Sequence, residues 1–464
     1  MDPQLNERDS EKNEASRLPT GESVHLAAIW VSELYTPSQI GGLLEGLSRL
    51  GWERGRSRDD SIVSWTNDVR QGRSAGWVSL GLVTSAARFG SERVAELPSG
   101  IDSAHPILMS LTPSITALVI MFYMDDDTSM ALDRPLRADY STRFEEGPGQ
   151  EWWNIAGYVL FGKETRFSRA IHDPFSQRRE SVASCVSQIE ARCTEWVRRN
   201  LPGVFASGLR DEFFPTATLM ITEEVNPGAE SLYPIRALEG LLINHDFNAW
   251  VSDQWPCARL ALPGFYDDNR LRLTFACRRR DAFPERPGYV DPMSDKTIAA
   301  RSSEMIGELL SRWAITGMLD GYHEQLSRLR DKSAAARSYR PVRDLKQLRS
   351  LVRTQLYDVE LSAHEISQFT KDMWYGVNIP NMHPMDSRRG KQSNLVENLR
   401  NSQNQRAAQV SRESELLKSV LSLSSDLSQT ITNLRIQWFI VLLTLVSIGI
   451  AIVALYVSEL ALSK

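Results

Sequence analysis

Apolar residues recur along this chain with three spacings, and each spacing predicts a different element. Continuous or alternating apolar runs mark strands at His25–Leu34, Ser61–Trp65, Gly76–Ser85 and Ser114–Met124, and again at Pro215–Glu223, Ala258–Pro263 and Leu271–Arg278. Ser114–Met124 has almost no polar side chain, which predicts a central strand covered on both faces. Spacings of three and four predict helices over Arg179–Leu201, Lys296–Arg330 and a stretch opening at Pro341. Thr36 reads as a helix cap, with Pro37 next and Gln39 three positions on, before Ile40, Leu43, Leu44 and Leu47 on one face. Pro234–Ile243 reads as another helix opening on proline, and Trp152–Gly162 as either a strand or a helical turn.

The third spacing is the heptad. Counted from Val396, the positions through Leu417, Val420, Leu427, Ile431 and Leu434 form an apolar seam with a period of 3.5, which is polar between Gln403 and Glu413. Directly after it, Trp438–Val457 is an uncharged, proline-free run as long as a bilayer's hydrocarbon core is thick. On one face of that run stand Thr444, Ser447, Ala451, Ala454 and Ser458, small side chains that let helices approach closely in lipid.

These patterns predict an α+β cytosolic head of two ferredoxin-like or related halves, then a helical hairpin, a coiled-coil stalk and one C-terminal transmembrane helix. The expected boundaries are a disordered tail over 1–22, α+β units over 23–150 and 151–282, and a hairpin over 293–377. A linker over 378–393, a stalk over 394–437, the transmembrane helix over 438–457 and a short tail over 458–464 complete the chain. The order strand–helix–strand–strand occurs twice, without residue identity between the two copies.

Composition changes this picture little. The net charge of −5 over 464 residues argues against a nucleic-acid-binding surface. Cys185, Cys193, Cys257 and Cys277 form no metal-ligand spacing and read as reduced, mostly buried thiols. The candidate chemistry is sparse. Asp125, Asp126 and Asp127 follow a buried strand, where carboxylates can hold a metal or act as a base. His172 beside Asp173, His245 beside Asp246, and His323 beside Glu324 resemble acid–base pairs, although sequence neighbours on a helix do not face one another. Arg278–Arg280 and Arg388–Arg389 are short basic clusters.

The reading is therefore a single-pass, tail-anchored membrane protein whose cytosolic head binds a partner or signal and whose stalk and anchor assemble. The expected partners are the lipid bilayer, further copies of the chain as a homo-oligomer, and a cytosolic protein or small-molecule signal. No nucleic acid, cofactor, metal or catalytic residue is assigned. The alternative is a membrane-tethered enzyme using an acidic site near Asp125–Asp127.

Overall fold

A computed structural model describes residues 3–53, 61–74, 76–86, 93–146, 169–208, 213–227, 249–255, 258–263, 269–282, 291–336, 356–373, 375–385 and 393–462. Side chains of the last helix are described through Ser419 and only in part beyond it. The chain divides into two compact units, residues 1–321 with 365–406, and residues 322–364 with 407–464.

The first unit is built on strand β1 (Val24–Tyr35). On one side β1 pairs antiparallel with β6 (Thr116–Met124), and on the other antiparallel with β9 (Thr216–Thr222). Beyond β6 lie β5 (Ile101–Ser110), β3 (Val83–Thr84) and β4 (Arg93–Val94), with β2 (Trp77–Ser79) also on β5. Beyond β9, β12 (Arg272–Arg278) is parallel to it, followed by β11 (Ala258–Ala261), β10 (Ala249–Ser252) and β13 (Met382–Pro384). A separate ribbon joins β7 (Arg143–Glu146) to β8 (Arg169–His172).

This corrects the expected fold class. The two strand groups are not two ferredoxin-like halves. They form one mixed sheet of eleven strands, because both edges of β1 are used and the two groups meet on it. The strands predicted from Pro215, Ala258 and Leu271 are observed. Ser61–Trp65 is instead the start of helix α3 (Ile62–Arg70), after α1 (Pro3–Ser16) and α2 (Ile40–Arg49). Ser61 caps α3 by accepting from the Ser64 amide, and that hydroxyl cap is what the strand reading overlooked.

Both faces of the sheet are covered, which is why β6 and β9 are buried along their whole length. Alternation along β6 separates the two cores. Val119, Met121 and Tyr123 pack with Trp30, Ile306, Leu309 and Leu310, the last three on α7 (Asp295–Ala336). Phe122 points the other way and meets Trp196 edge to face at 5.9 Å, while Trp196 lies 6.1 Å from Trp52. Trp196 belongs to α6 (Pro174–Asn200), which follows α4 (Asp126–Ser129) and α5 (Asp133–Arg137). Gly46 on α2 is required by close approach. A Cβ there would stand 2.3 Å from the Asn200 carbonyl oxygen at the end of α6.

Residues 1–22, expected to be an unstructured tail, contain α1. Its Asp9 accepts from the Thr142 amide at 2.6 Å, and Asn13 donates to the Tyr140 carbonyl at 2.7 Å. Buried Arg178 donates to the Ser16 hydroxyl and to Asn13 at 3.2 Å. The polar composition of α1 conceals contacts that are themselves polar.

The remaining helices are α8 (residues 356–369) and α9 (Leu395–Leu462). The first residues of the helix predicted from Pro341, together with Trp152–Gly162 and Pro234–Ile243, lie outside the described residues. α9 is not a free coiled-coil stalk. Gln403, Ala407, Val410, Ser414 and Leu417 are buried, alternating four and three apart, so the seam uses a and e of the count from Val396. Arg406 and Glu413, at the expected d positions, are half-buried and pair with Asp320 and His323 of their own units.

The tail-anchor reading is also corrected. Among the described residues, no helix is long and apolar enough to cross a membrane. The single-pass, tail-anchored membrane assignment, its cytosolic-head topology and the membrane-tethered alternatives are therefore withdrawn.

Candidate functional site

The acidic turn does not form the expected site. Asp125 caps α4, its carboxylate accepting from the Thr128 amide at 2.8 Å, and Asp126 and Asp127 occupy the first turn. Among the described residues no group of three or more His, Cys, Asp and Glu side chains is placed to hold a metal ion. His172 pairs with Glu180 at 2.9 Å rather than with its neighbour Asp173, which caps α6 and meets Lys12 at 3.1 Å. His323 meets Glu413 at 2.6 Å rather than Glu324. His245, Asp246, Cys257 and Arg388–Arg389 lie outside the described residues. Cys193 and Cys277 are buried and Cys185 is half-buried, and burial pushes the Cys193 thiol well above its ordinary range.

Of the expected seam, Leu417 is buried inside its own unit, while the side chains of Val420, Leu427, Ile431 and Leu434 lie outside the described residues. Thr444 and Ser447 are exposed and donate to the carbonyls of Ile440 and Leu443 one turn back, at 2.8 and 2.9 Å. The side chains of Ala451, Ala454 and Ser458 are outside the described residues.

What the sequence did not suggest is a polar centre at the start of β1. His25 lies between Ser23, whose hydroxyl is 3.2 Å from Nε2, and Asp295, whose carboxylate is 3.0 Å from Nδ1. Arg279 bridges Asp295 and Glu223 at 2.7 Å each, and Ser129 donates to Asp295 at 3.0 Å. The donors from His25 and Arg279 overcome the burial of Asp295 and lower its pKa to about 2. A hydroxyl, an imidazole and a carboxylate in this order are three parts of an acyl-transfer site. The fourth part is amides free to meet an oxyanion. Here the Ser23, Glu223, Glu224 and Val225 amides all donate to buried Glu22, at 3.1, 2.7, 3.1 and 2.8 Å. Glu223 also stands 3.5 Å from Nε2, where its charge would oppose a developing oxyanion. The centre is a satisfied ionic staple between β1, β9, β12 and α7.

The second constellation is open. Along the C-terminal half of α6 runs a cleft of about 1190 Å³, lined also by residues 95–99, Phe213, Phe214, Asn269 and Arg272. Its floor is a buried ion pair in which Arg272 Nε meets both Glu190 carboxylate oxygens at 2.9 Å. Arg272 also donates to the Ser187 hydroxyl at 2.7 Å, and the Thr216 hydroxyl donates to Glu190 at 2.8 Å. Asn269 closes the network by donating to Thr216 Oγ1 at 3.1 Å. Fully partnered, the floor is rigid and electrically balanced.

The walls differ. Arg198 and Arg199 share Glu195 at 3.3 and 2.6 Å, and their hydrogen bonds hold its carboxyl below the ordinary value. Arg192 donates instead to neutral oxygens, the Ser99 carbonyl at 2.7 Å and its hydroxyl at 3.0 Å. Half-buried Leu50, Leu97 and Phe213 supply apolar surface to the same cleft. The legible signal was the run Thr194–Asn200, which places Arg198 and Arg199 one turn from Glu195. The loops that complete the cleft come from distant sequence. No known protein family, curated protein or solved structure matches the chain.

Proposed function

We propose that this protein is a binding module whose α6 cleft takes a small organic anion. One carboxylate or phosphate group of the ligand meets Arg192, and an apolar or aromatic body lies against Leu50, Leu97 and Phe213. The observation that carries the reading is Arg192 itself. It is a guanidinium in the wall of a cleft of about 1190 Å³ whose hydrogen-bond partners there carry no charge, so its own charge is left to a ligand. Arg272 is balanced by Glu190, and Arg198 and Arg199 share Glu195, so among these arginines Arg192 is the one whose hydrogen-bond partners among the described residues include no carboxylate.

The test is calorimetric titration with 1-naphthoate, 1-naphthyl phosphate and neutral 1-naphthol. Both anions are expected to bind more tightly than naphthol, and Arg192→Leu to remove that preference, a loss of about tenfold or more. Comparing the two anions separates carboxylate from phosphate selectivity. Equal binding of all three, or an anion preference that survives in R192L, would overturn the proposal.

A further inference from the structure

A helix in water keeps a polar face, because bare apolar surface costs about 25 cal/mol per Å². In its second-unit portion, α9 obeys this rule upstream and departs from it downstream. Ala407, Val410, Ser414 and Leu417 are buried on one side, where Ser414 donates to Glu360 of the same unit at 2.8 Å. Between Ile436 and Ile448, nine apolar side chains are 49–72% exposed. Trp438 through Leu443 are consecutive, and at about 100° per residue they point apolar surface in every direction. The two hydroxyls in the stretch, Thr444 and Ser447, are already bonded to the helix backbone and ask nothing of a partner.

We infer that this stretch of α9 is an interface between copies of this chain, packed as a bundle of helices. Side chains of this size bare at this level leave roughly 100 Å² each, so nine give about 900 Å² per copy. A stable interface takes about 800 Å² per partner. A second copy brings the same stretch at the same concentration, and an all-round apolar surface is covered best by several neighbours.

The experiment is sedimentation of the full chain over a hundredfold dilution series, alone and with vesicles of phosphatidylcholine and phosphatidylglycerol. The expected result is a mass of two or more chains that falls on dilution. In the triple variant Phe439→Glu, Leu442→Glu, Val446→Glu, the dissociation constant should rise by about a hundredfold or more. These side chains are exposed, so an unchanged circular dichroism spectrum shows that the variant still folds. A monomeric mass throughout, assembly that the triple variant leaves intact, or a monomer that floats with the vesicles would each overturn the inference.

Discussion

Glu33 shows what a single residue can contribute to the pH behaviour of this fold. It lies on β1, fully buried, and accepts hydrogen bonds from the Leu34, Phe205 and Ala206 amides at 2.9, 2.8 and 2.9 Å. Burial raises its pKa to about 7, and the amides that favour the carboxylate recover only part of that shift. The folded value lies above the unfolded one, so the folded state holds the proton more tightly. The stabilisation from this group is complete below about pH 4.5 and is lost as the pH rises toward 7. A shift of this size corresponds to about 3 kcal/mol. Urea denaturation of the wild type between pH 4.5 and 8 should show that decline, and Glu33→Gln should flatten it. A variant with the same slope as the wild type would assign the decline to other groups.

At the scale of elements, the sequence was most legible where a single period ran uninterrupted. β1, β6, β9, β12 and α6 fall where their apolar patterns placed them, because burial on both faces or along one stripe leaves a local signature. α1 and the upstream part of α9 carry no clear apolar signal because they pack through Asn13, Arg178, Gln403 and Ser414, whose side chains look solvated until their partners are known. The cleft was out of reach for a related reason. Glu190 sits on α6 and Arg272 on β12, and no local pattern announces a pair 82 residues apart. That pair joins helix to sheet with both side chains almost wholly buried. Breaking it strands a charge without solvent, so Glu190→Leu or Arg272→Met alone should each cost about 3–5 kcal/mol. Making both changes together should recover most of that loss, since an apolar pair has no charge to desolvate. Urea midpoints of the three variants form the cycle that checks this, and additive losses would mean the two side chains do not act as a pair.

For the first unit as a whole, the decisive fact is that β1 lies in the middle of the sheet while standing near the start of the sequence. Strands separated by long stretches of chain depend on it from both sides, β6 through Ala28–Tyr35 and β9 through Val24–Val31. Two independent halves would each own a sheet and melt separately. A sheet sharing one central strand cannot lose either neighbour without exposing an apolar edge of β1, and the cost of that edge couples the two sides. Damage on either flank should therefore lower one common transition. Phe275→Ala on β12 removes a buried ring stacked 6.5 Å from Trp255, and Trp30→Ala on β1 removes a buried indole that also donates to Ser303 at 3.3 Å. Each should cost about 3–5 kcal/mol. Native-state hydrogen exchange gives the discriminating measurement, because it reads β5 and β6 separately from β9 and β12. In F275A the amides of β6, which Phe275 does not pair with, should lose protection together with those of β9. If β6 keeps its wild-type protection while β9 opens, the eleven strands behave as two sheets, and the coupling through β1 is refuted.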